Sequence, residues 1–486
     1  MSDGKTIVLN EGQKAALDKI MSFLKDDSLR VFILKGYAGT GKTTMINKVI
    51  SFMETRHVNY GLLASTGRAA KILGDVTGRS AHTIHSEIYR FRGLKKNKTA
   101  ASGIALAEDD AQLIIQFDLG SPDEDSPSVY VVDESSMISD REETEVVQSR
   151  FGNGRLLNDL LRYDARAKFI FVGDPCQLSP VTGEPSPALS AEYLKSTFGI
   201  DSCEATLTEV MRQSDDNGIV GTSALVRDLC EEAPDDERFY GGRNSWLRLP
   251  FRRVDGIELV DSVTILIAMY IQDIRNREYT KSVFICMSNS ACFKFSSVVR
   301  NALGFKGSLE KDELLLVVQN NLISGFRNGD LVQVVNVSPV TELRGGLTFR
   351  EIEVKELFTG KTFKQLMIDD ILCQPQTNLS SKQQSKLYGD FIKRMKKQNI
   401  LEDSPAFEDY MRSDKYLNAL RVSFGYAVTC HKAQGGEWER VYAYFPRNIM
   451  LNPTKQKYQW VYTAMTRAKD KLFVIDDIYI EGYKRY

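Results

Sequence analysis

The chain has 486 residues, 42% hydrophobic and 26% charged, an ordinary globular composition with too much length for one core, so two to four domains are expected. Lys and Arg number 63 against 64 Asp and Glu, a formal net charge of −1, which excludes a wholly basic protein and confines any nucleic-acid surface to a local groove. Seven scattered cysteines without a C-x-x-C pair argue against structural zinc or a disulfide framework, and no leader-like or membrane-length apolar run occurs, so a cytoplasmic protein is expected.

Asn10-Glu11-Gly12-Gln13 precedes an amphipathic segment, Ala15 to Leu24, with the pattern of a first helix. The Gln13 amide can donate to and accept from an adenine edge at once, although taken alone it reads as a surface residue. Val31-Phe32-Ile33-Leu34 has the pattern of a buried strand and Met45 to Ile50 that of a helix. Between them lies GYAGTGKTT, residues 36–44, in the strand–turn–helix context that the G-x-x-x-x-G-K-S/T phosphate loop requires. Gly36, Ala38, Gly39, Thr40, Gly41 and Thr44 are candidates for the backbone cradle of an oligophosphate, seated on a helix N-terminus. Lys42 would reach the β/γ-phosphates, and the Thr43 hydroxyl would take a place on Mg²⁺. Such a loop calls for a nucleotide, ATP, without saying what its energy is used for.

Tyr60 to Ala64 reads as a second buried strand, ending in Ser65-Thr66-Gly67-Arg68. Small and basic residues at that edge of an open α/β sheet sit where ligands gather. His82, Thr83 and His85 follow within one helical turn. With no carboxylate or cysteine at a fitting spacing they suit phosphate contact or base stacking better than metal binding. Residues 86–127 change character, from the basic and aromatic Tyr89 to Lys98 to the acidic, turn-forming Gly120 to Pro127, and suggest an inserted hairpin. Ser128 to Glu134 is then a strand ending in paired carboxylates. Asp133 would hold the metal ion, and Glu134 would orient and deprotonate an attacking water. The strand Lys168 to Val172 runs into Gly173-Asp174-Pro175-Cys176-Gln177, where Gln177 could sense the γ-phosphate through a water. Arg212 is a further candidate phosphate contact.

These stretches, GYAGTGKTT, STGRAA, TIH, VVDESSM, GDPCQLSPV and LTEVMRQ, resemble successive motifs of a superfamily 1 helicase, in particular the RecD-like, Dda-like and Pif-family branch, superfamily 1B. The second half of the chain continues the pattern. A second α/β unit begins at Val283, and residues 340–370 alternate apolar and polar with turns at Gly345-Gly346 and Gly360-Lys361, as in a small β-barrel insert. Gly360-Lys361-Thr362 reads as a hairpin tip, and residues 380–400 as a Lys/Arg-rich helical arm, a solvated face or a DNA contact. Tyr426 to Glu437 and Trp460 to Ala468 resemble the fifth and sixth helicase motifs. By that resemblance Thr429, His431 and Lys432 lie at the strand or at the coupling loop, Gly436 and Glu437 at the nucleotide, and Arg467 is the arginine finger. A planar, permanently charged guanidinium also suits the charge spread over a γ-phosphoryl group.

The resemblance implies an α/β fold with two RecA-like parallel-sheet motor domains, residues 1–85 with 128–245 and 246–338 with 416–486. It also implies a pin-like insert, 86–127, and a small SH3-like β-barrel with the basic helical arm, 339–415. It further implies an ATP- and Mg²⁺-dependent DNA helicase that moves 5′→3′ on single-stranded DNA, works at single-strand/duplex junctions, and meets single-strand-binding, replication or recombination proteins. Thr66, Gly67, Arg68, His82, Thr83 and His85 would form the track with Thr429, His431 and Lys432. An RNA helicase, a translocase that does not unwind, or a slow nucleotide-switched binding protein are the alternative readings.

Overall fold

The computed structural model describes residues 8–97, 112–142, 149–180, 186–211, 218–233, 247–357, 359–402, 404–447 and 454–483. Arg212 and the 98–111 part of the expected insert lie outside the described residues.

Val31–Gly36 is a strand of a six-stranded sheet whose order is Ala81–Thr83, Tyr60–Ala64, Val129–Asp133, Lys168–Gly173, Val31–Gly36, Ser202–Leu207. Every pairing in it is parallel. Helices cover both faces, so the strands are apolar on both sides. Val31 and Ile33 enter one core and Phe32 and Leu34 the other. Parallel pairing brings the carboxyl ends of Val31–Gly36, Val129–Asp133 and Lys168–Gly173 to one edge, which puts the phosphate loop beside both acidic strand ends. The helix Glu11–Lys25 starts with a capping box in which the Asn10 side chain and Gln13 satisfy each other's backbone N–H. That is why Gln13 is buried, at 2% exposure, and not on the surface.

A second, five-stranded parallel sheet has the order Ile257–Val260, Ala468–Ile475, Trp438–Ala443, Ser282–Cys286, Val428–Thr429. Arg467 directly precedes one of its central strands. A five-stranded antiparallel sheet combines Thr362–Ile368, Leu347–Glu356, Leu331–Arg344, Leu314–Val317 and Val422–Phe424, so it draws strands from beyond 339–415. Gly360 lies in the turn between two of these strands, with φ of +71°. The helix Ser381–Lys397 forms as expected and packs Leu387, Phe391 and Met395 against that sheet.

Tyr89–Asn97 and Gln112–Leu119 pair antiparallel, and Ser149–Phe151 adds a parallel third strand from outside 86–127. Ile115 of this sheet packs against the core beneath Ser381–Lys397. At its base, His85, Tyr89, Phe117 and Phe151 form one aromatic cluster, with the His85 ring 4.9 Å from Phe151 and 5.6 Å from Tyr89. Among the described residues no helix is long and apolar enough to cross a membrane.

Burial in the aromatic cluster pushes His85 down to about 4. The folded value lies below the unfolded value of 6.5, so its contribution is fully present above 6.5 and is lost as pH falls towards 4, where the unfolded chain takes up a proton the native one refuses. His85→Phe should therefore remove on the order of 2 kcal/mol of the stability lost between pH 7 and pH 4.5, read as the difference between urea melts of the two proteins.

Candidate active site

The phosphate loop, the strand end Asp133-Glu134, Gln177 and the start of strand Ala468–Ile475 line a single cleft of about 540 Å³. Gly41, the N-cap of helix Lys42–Thr55, has φ of +85°, and a Cβ there would stand 2.5 Å from Gln13 Nε2. Only glycine fits both demands. Gln13 Nε2 donates to the Thr40 carbonyl at 3.0 Å while its Oε1 accepts from Asn10 N at 3.1 Å, so this residue braces the loop from behind. Ala38, Gly39, Gly41, Lys42, Thr43 and Thr44 face the cleft. Thr40 is fully buried, its Oγ1 donating to the Tyr37 carbonyl at 2.8 Å, and Gly36 forms the loop's inner wall against Lys42. Lys42 Nζ donates to the carbonyls of Gly36 at 2.7 Å and Tyr37 at 3.1 Å.

Glu134 follows the strand in the left-handed region, φ +50°, a strained setting for a residue with a Cβ. Its N–H donates to Asp133 Oδ1 at 2.9 Å. Burial pushes Asp133 upward, against the Glu134 N–H and Lys42. Burial, with Asp133 adding, pushes Glu134 to about 7, against the pull of Arg467 and Lys42. A third carboxylate, named in the sequence without a role, stands beside them. Asp174 is buried, raised by that burial and pulled down by Lys42. It accepts from Cys176 N at 2.9 Å and from the Tyr462 hydroxyl at 3.0 Å. Its signal was available: it ends the strand that pairs with both Val31–Gly36 and Val129–Asp133. Gln177 is 3% exposed and lines the cleft, and its Oε1 has no partner among the described residues. A buried acceptor in that state suits a water or ligand donor.

The other wall belongs to the second sheet. Arg467 is buried, with Nε donating to the Thr463 carbonyl at 3.0 Å and a terminal nitrogen to the Gly436 carbonyl at 3.3 Å. It lines the cleft with Gly435 and Glu437. The loop after Gly173 is tied to the helix Lys455–Met465 that leads to it. Leu178 N donates to Thr463 Oγ1 at 2.9 Å, Ser179 Oγ to Gln459 Oε1 at 3.1 Å, and Gln459 Nε2 to the Pro175 carbonyl at 3.1 Å. Tyr462, besides its bond to Asp174, accepts from Ala38 N of the phosphate loop at 3.0 Å. Met211 was also missed. Its N–H donates to the Gly39 carbonyl at 2.9 Å, and its side chain lines the cleft.

The candidate track residues divide. Thr66, Thr83 and Thr429 each cap a helix N-terminus with their side chains. His82 is exposed, beside Ser80 Oγ at 3.0 Å, on an edge strand of the first sheet. Thr429 lies on an edge strand of the second and lines a pocket with Lys432 and Asn289. Burial lowers His431 and Lys432. Three further candidates make contacts within the chain. His85 packs into the aromatic cluster, because its ring is wanted between Tyr89 and Phe151. Gly67 is buried, its carbonyl accepting from Arg327 at 3.2 Å. Arg68 crosses to the second sheet, its guanidinium 4.7 Å from the Trp438 ring centre.

Among the described residues no three His, Cys, Asp or Glu side chains form a metal cage. A hard divalent cation bound chiefly through phosphate oxygens needs only one or two carboxylates. The Thr43 hydroxyl and Asp133 both line the cleft as hard oxygen donors, a set that fits such an ion.

Residues 8–235 match the family model of the AAA domain, and residues 424–475 that of the UvrD-like helicase C-terminal domain. Lys42, Glu134 and Gln177 fall in the first, and Thr429, Gly436 and Arg467 in the second. The chain is 25% identical over 469 residues to the ATP-dependent RecD2 DNA helicase of Deinococcus radiodurans, covering 96% of this chain and 48% of that protein. It thus spans about half the length of that relative. Over 79 residues it is 42% identical to the ATP-dependent DNA helicase dda of Enterobacteria phage T4, covering 16% of this chain and 18% of that one. A solved Pif1 helicase from Bacteroides, in complex with ADP-AlF3 and ssDNA, aligns over 97% of this chain and 93% of that one, at 16% identity and TM-score 0.49.

Tyr462→Phe removes the hydroxyl that donates to buried Asp174 and accepts from Ala38. It should cost about 1–3 kcal/mol, the penalty for stranding buried polar partners, measured by urea denaturation at neutral pH.

Proposed function

Because the chain belongs to the superfamily 1B helicases of the RecD, Dda and Pif type, we propose that it is an ATP-dependent DNA helicase that translocates 5′→3′ on single-stranded DNA and opens duplexes at junctions. The observation that supports this best is the composite cleft, in which Lys42, Glu134 and Gln177 from one parallel sheet face Arg467 from another. A γ-phosphoryl group bound there has its charge met from two bodies, so turnover is tied to how the bodies sit against each other.

On nucleotide binding Lys42 exchanges the Gly36 and Tyr37 carbonyls for β/γ-phosphate oxygens. Thr43 and Asp133 would hold Mg²⁺, which would supply neutralisation of the phosphate charge. Glu134, with an affinity for protons near neutrality, takes the proton of the attacking water, and Gln177 orients that water through its free Oε1. Arg467 meets the charge that develops on the γ-phosphoryl oxygens. Thr66, His82, Thr83, Thr429, His431 and Lys432, at the carboxyl edges of the two sheets, hold the strand through its phosphates and bases. In this reading the two parallel sheets are the RecA-like motor domains, the sheet of Tyr89–Asn97 and Gln112–Leu119 is the pin, and the antiparallel sheet with Ser381–Lys397 is the SH3-like insert. Single-strand-binding and replication or recombination proteins are the partners such a motor meets.

Lys42→Ala should abolish ATP turnover and strand separation together. Glu134→Gln should keep nucleotide binding while lowering kcat about 10²- to 10⁴-fold. Duplexes with a 5′ or a 3′ single-stranded tail decide direction: unwinding from the 5′ tail alone is expected, and unwinding from the 3′ tail alone would reverse it. ATP turnover stimulated by RNA but not by DNA would change the substrate class.

A further inference from the structure

Arg68 was expected at the nucleic-acid edge, and it is engaged elsewhere. It stands in the first turn of the helix Gly67–Thr77, at the carboxyl end of strand Tyr60–Ala64 in the first sheet. Its guanidinium lies over the ring of Trp438, the first residue of a central strand in the second sheet, and a terminal nitrogen approaches the Gly329 carbonyl at 3.5 Å. The same group closes over Gly436. A Cβ on that glycine would stand 2.7 Å from an Arg68 terminal nitrogen and 2.6 Å from the Trp438 ring, so Gly436 is held in a slot between the two side chains.

The slot holds the support of the arginine finger. Gly436 offers its carbonyl to the Arg467 guanidinium at 3.3 Å, and Trp438 N–H donates to the Arg467 backbone carbonyl at 2.9 Å. Both ends of Arg467 are therefore anchored on the segment Gly436–Trp438, and that segment is clasped from the first sheet by Arg68. Neighbouring contacts hold the clasp in place. Arg327 donates to the Gly67 carbonyl at 3.2 Å, and Lys71 Nζ lies 3.3 Å from Glu356 and 3.6 Å from Asp330. Burial draws the Arg68 guanidinium down to about 10, against the pull of Asp330 and with the Arg467 charge adding to the fall. Two cations this close are tolerated because the Trp438 face and Asp330 answer one of them.

We propose that Arg68 is a positioning residue that clasps the Gly436–Trp438 segment and so places the Arg467 finger in the cleft when the two sheets are together. It touches neither the nucleotide nor the strand. The inference deepens the proposed function and rests on it for the role of Arg467, but the clasp itself is a property of the nucleotide-free chain. Lysine does not replace it, because an ammonium lacks the flat face that stacks on Trp438 and covers Gly436.

Two measurements test it. In hydrogen–deuterium exchange of the nucleotide-free protein, Arg68→Ala and the milder Arg68→Lys should speed exchange across 435–438 and at 467–468, while the helix Lys42–Thr55 exchanges as before. Unchanged exchange at 435–438 overturns the clasp. In steady-state ATP turnover, Arg68→Ala should lower kcat about 10- to 100-fold, the cost of a misplaced charge, with KM for ATP nearly unchanged. In an Arg467→Ala background the same change should have little further effect. Full additivity, or weaker strand binding without nucleotide and a salt slope reduced by about one, would show Arg68 to be a direct nucleic-acid contact and overturn the proposal. A wild-type chain without ATP turnover defeats the functional reading alone, since the exchange experiment still decides the clasp.

Discussion

The structure depends on a buried concentration of like charge. Asp133, Glu134 and Asp174 end adjacent parallel strands or follow them directly, and burial raises all three. Taking carboxylates out of water is costly unless opposite charge stands close. Lys42 is drawn towards all three, and Arg467 towards Glu134 and Asp174. One of these cations comes from each parallel sheet. The cleft is thus electrostatically incomplete in either body alone, and the contact between bodies is part of its chemistry.

That contact combines an apolar part, in which Cys176 and Leu178 pack into the core of the second sheet, with short polar links. The loop from Asp174 to Ser179 hangs on Gln459, Tyr462 and Thr463, three residues of one helix that are all buried. Gln434 Nε2 adds a bond to the Leu178 carbonyl at 3.3 Å. Directional bonds of this kind register a small displacement more sharply than apolar packing does. They also run from the phosphate loop, through Tyr462, to the helix that leads to Arg467. Ile115 against the core beneath Ser381–Lys397 makes a second bridge, between the two smaller sheets and away from the cleft.

Several site residues were legible because local chemistry restricts their type. The phosphate loop needs glycine at Gly41, where φ is positive and Gln13 leaves no room for a Cβ. Asp133 and Glu134 are announced by an apolar strand ending in acids, and Arg467 by its motif. Three candidates whose side chains are engaged within the chain share a cause. Gln13, His85 and Arg68 have side chains that serve equally well at a ligand or in a structural bond, and the surroundings made the choice. Gln13 closed a capping box three residues into its helix, His85 found Tyr89 and Phe151, and Arg68 found Trp438, 370 positions away in the chain. Asp174 and Met211 escaped notice for the converse reason, having no pattern of their own until strand order set them beside Asp133 and Gly39.

The sequence by itself determined the α/β class, the phosphate loop and the strand that ends in paired carboxylates. Each of these rests on short-range periodicity or on a residue type that a local geometry demands, whereas Arg467 was marked out by the family resemblance. Only the tertiary structure decided which groups share the cleft and which face away from it. The order of parallel strands, not distance along the chain, sets which strand ends are neighbours, and two separate sheets must meet before Arg467 has an anchor. For Arg68 the difference is largest. Its position in the chain points to the nucleic-acid edge, while the slot it closes around Gly436 exists only once Trp438 lies beneath it.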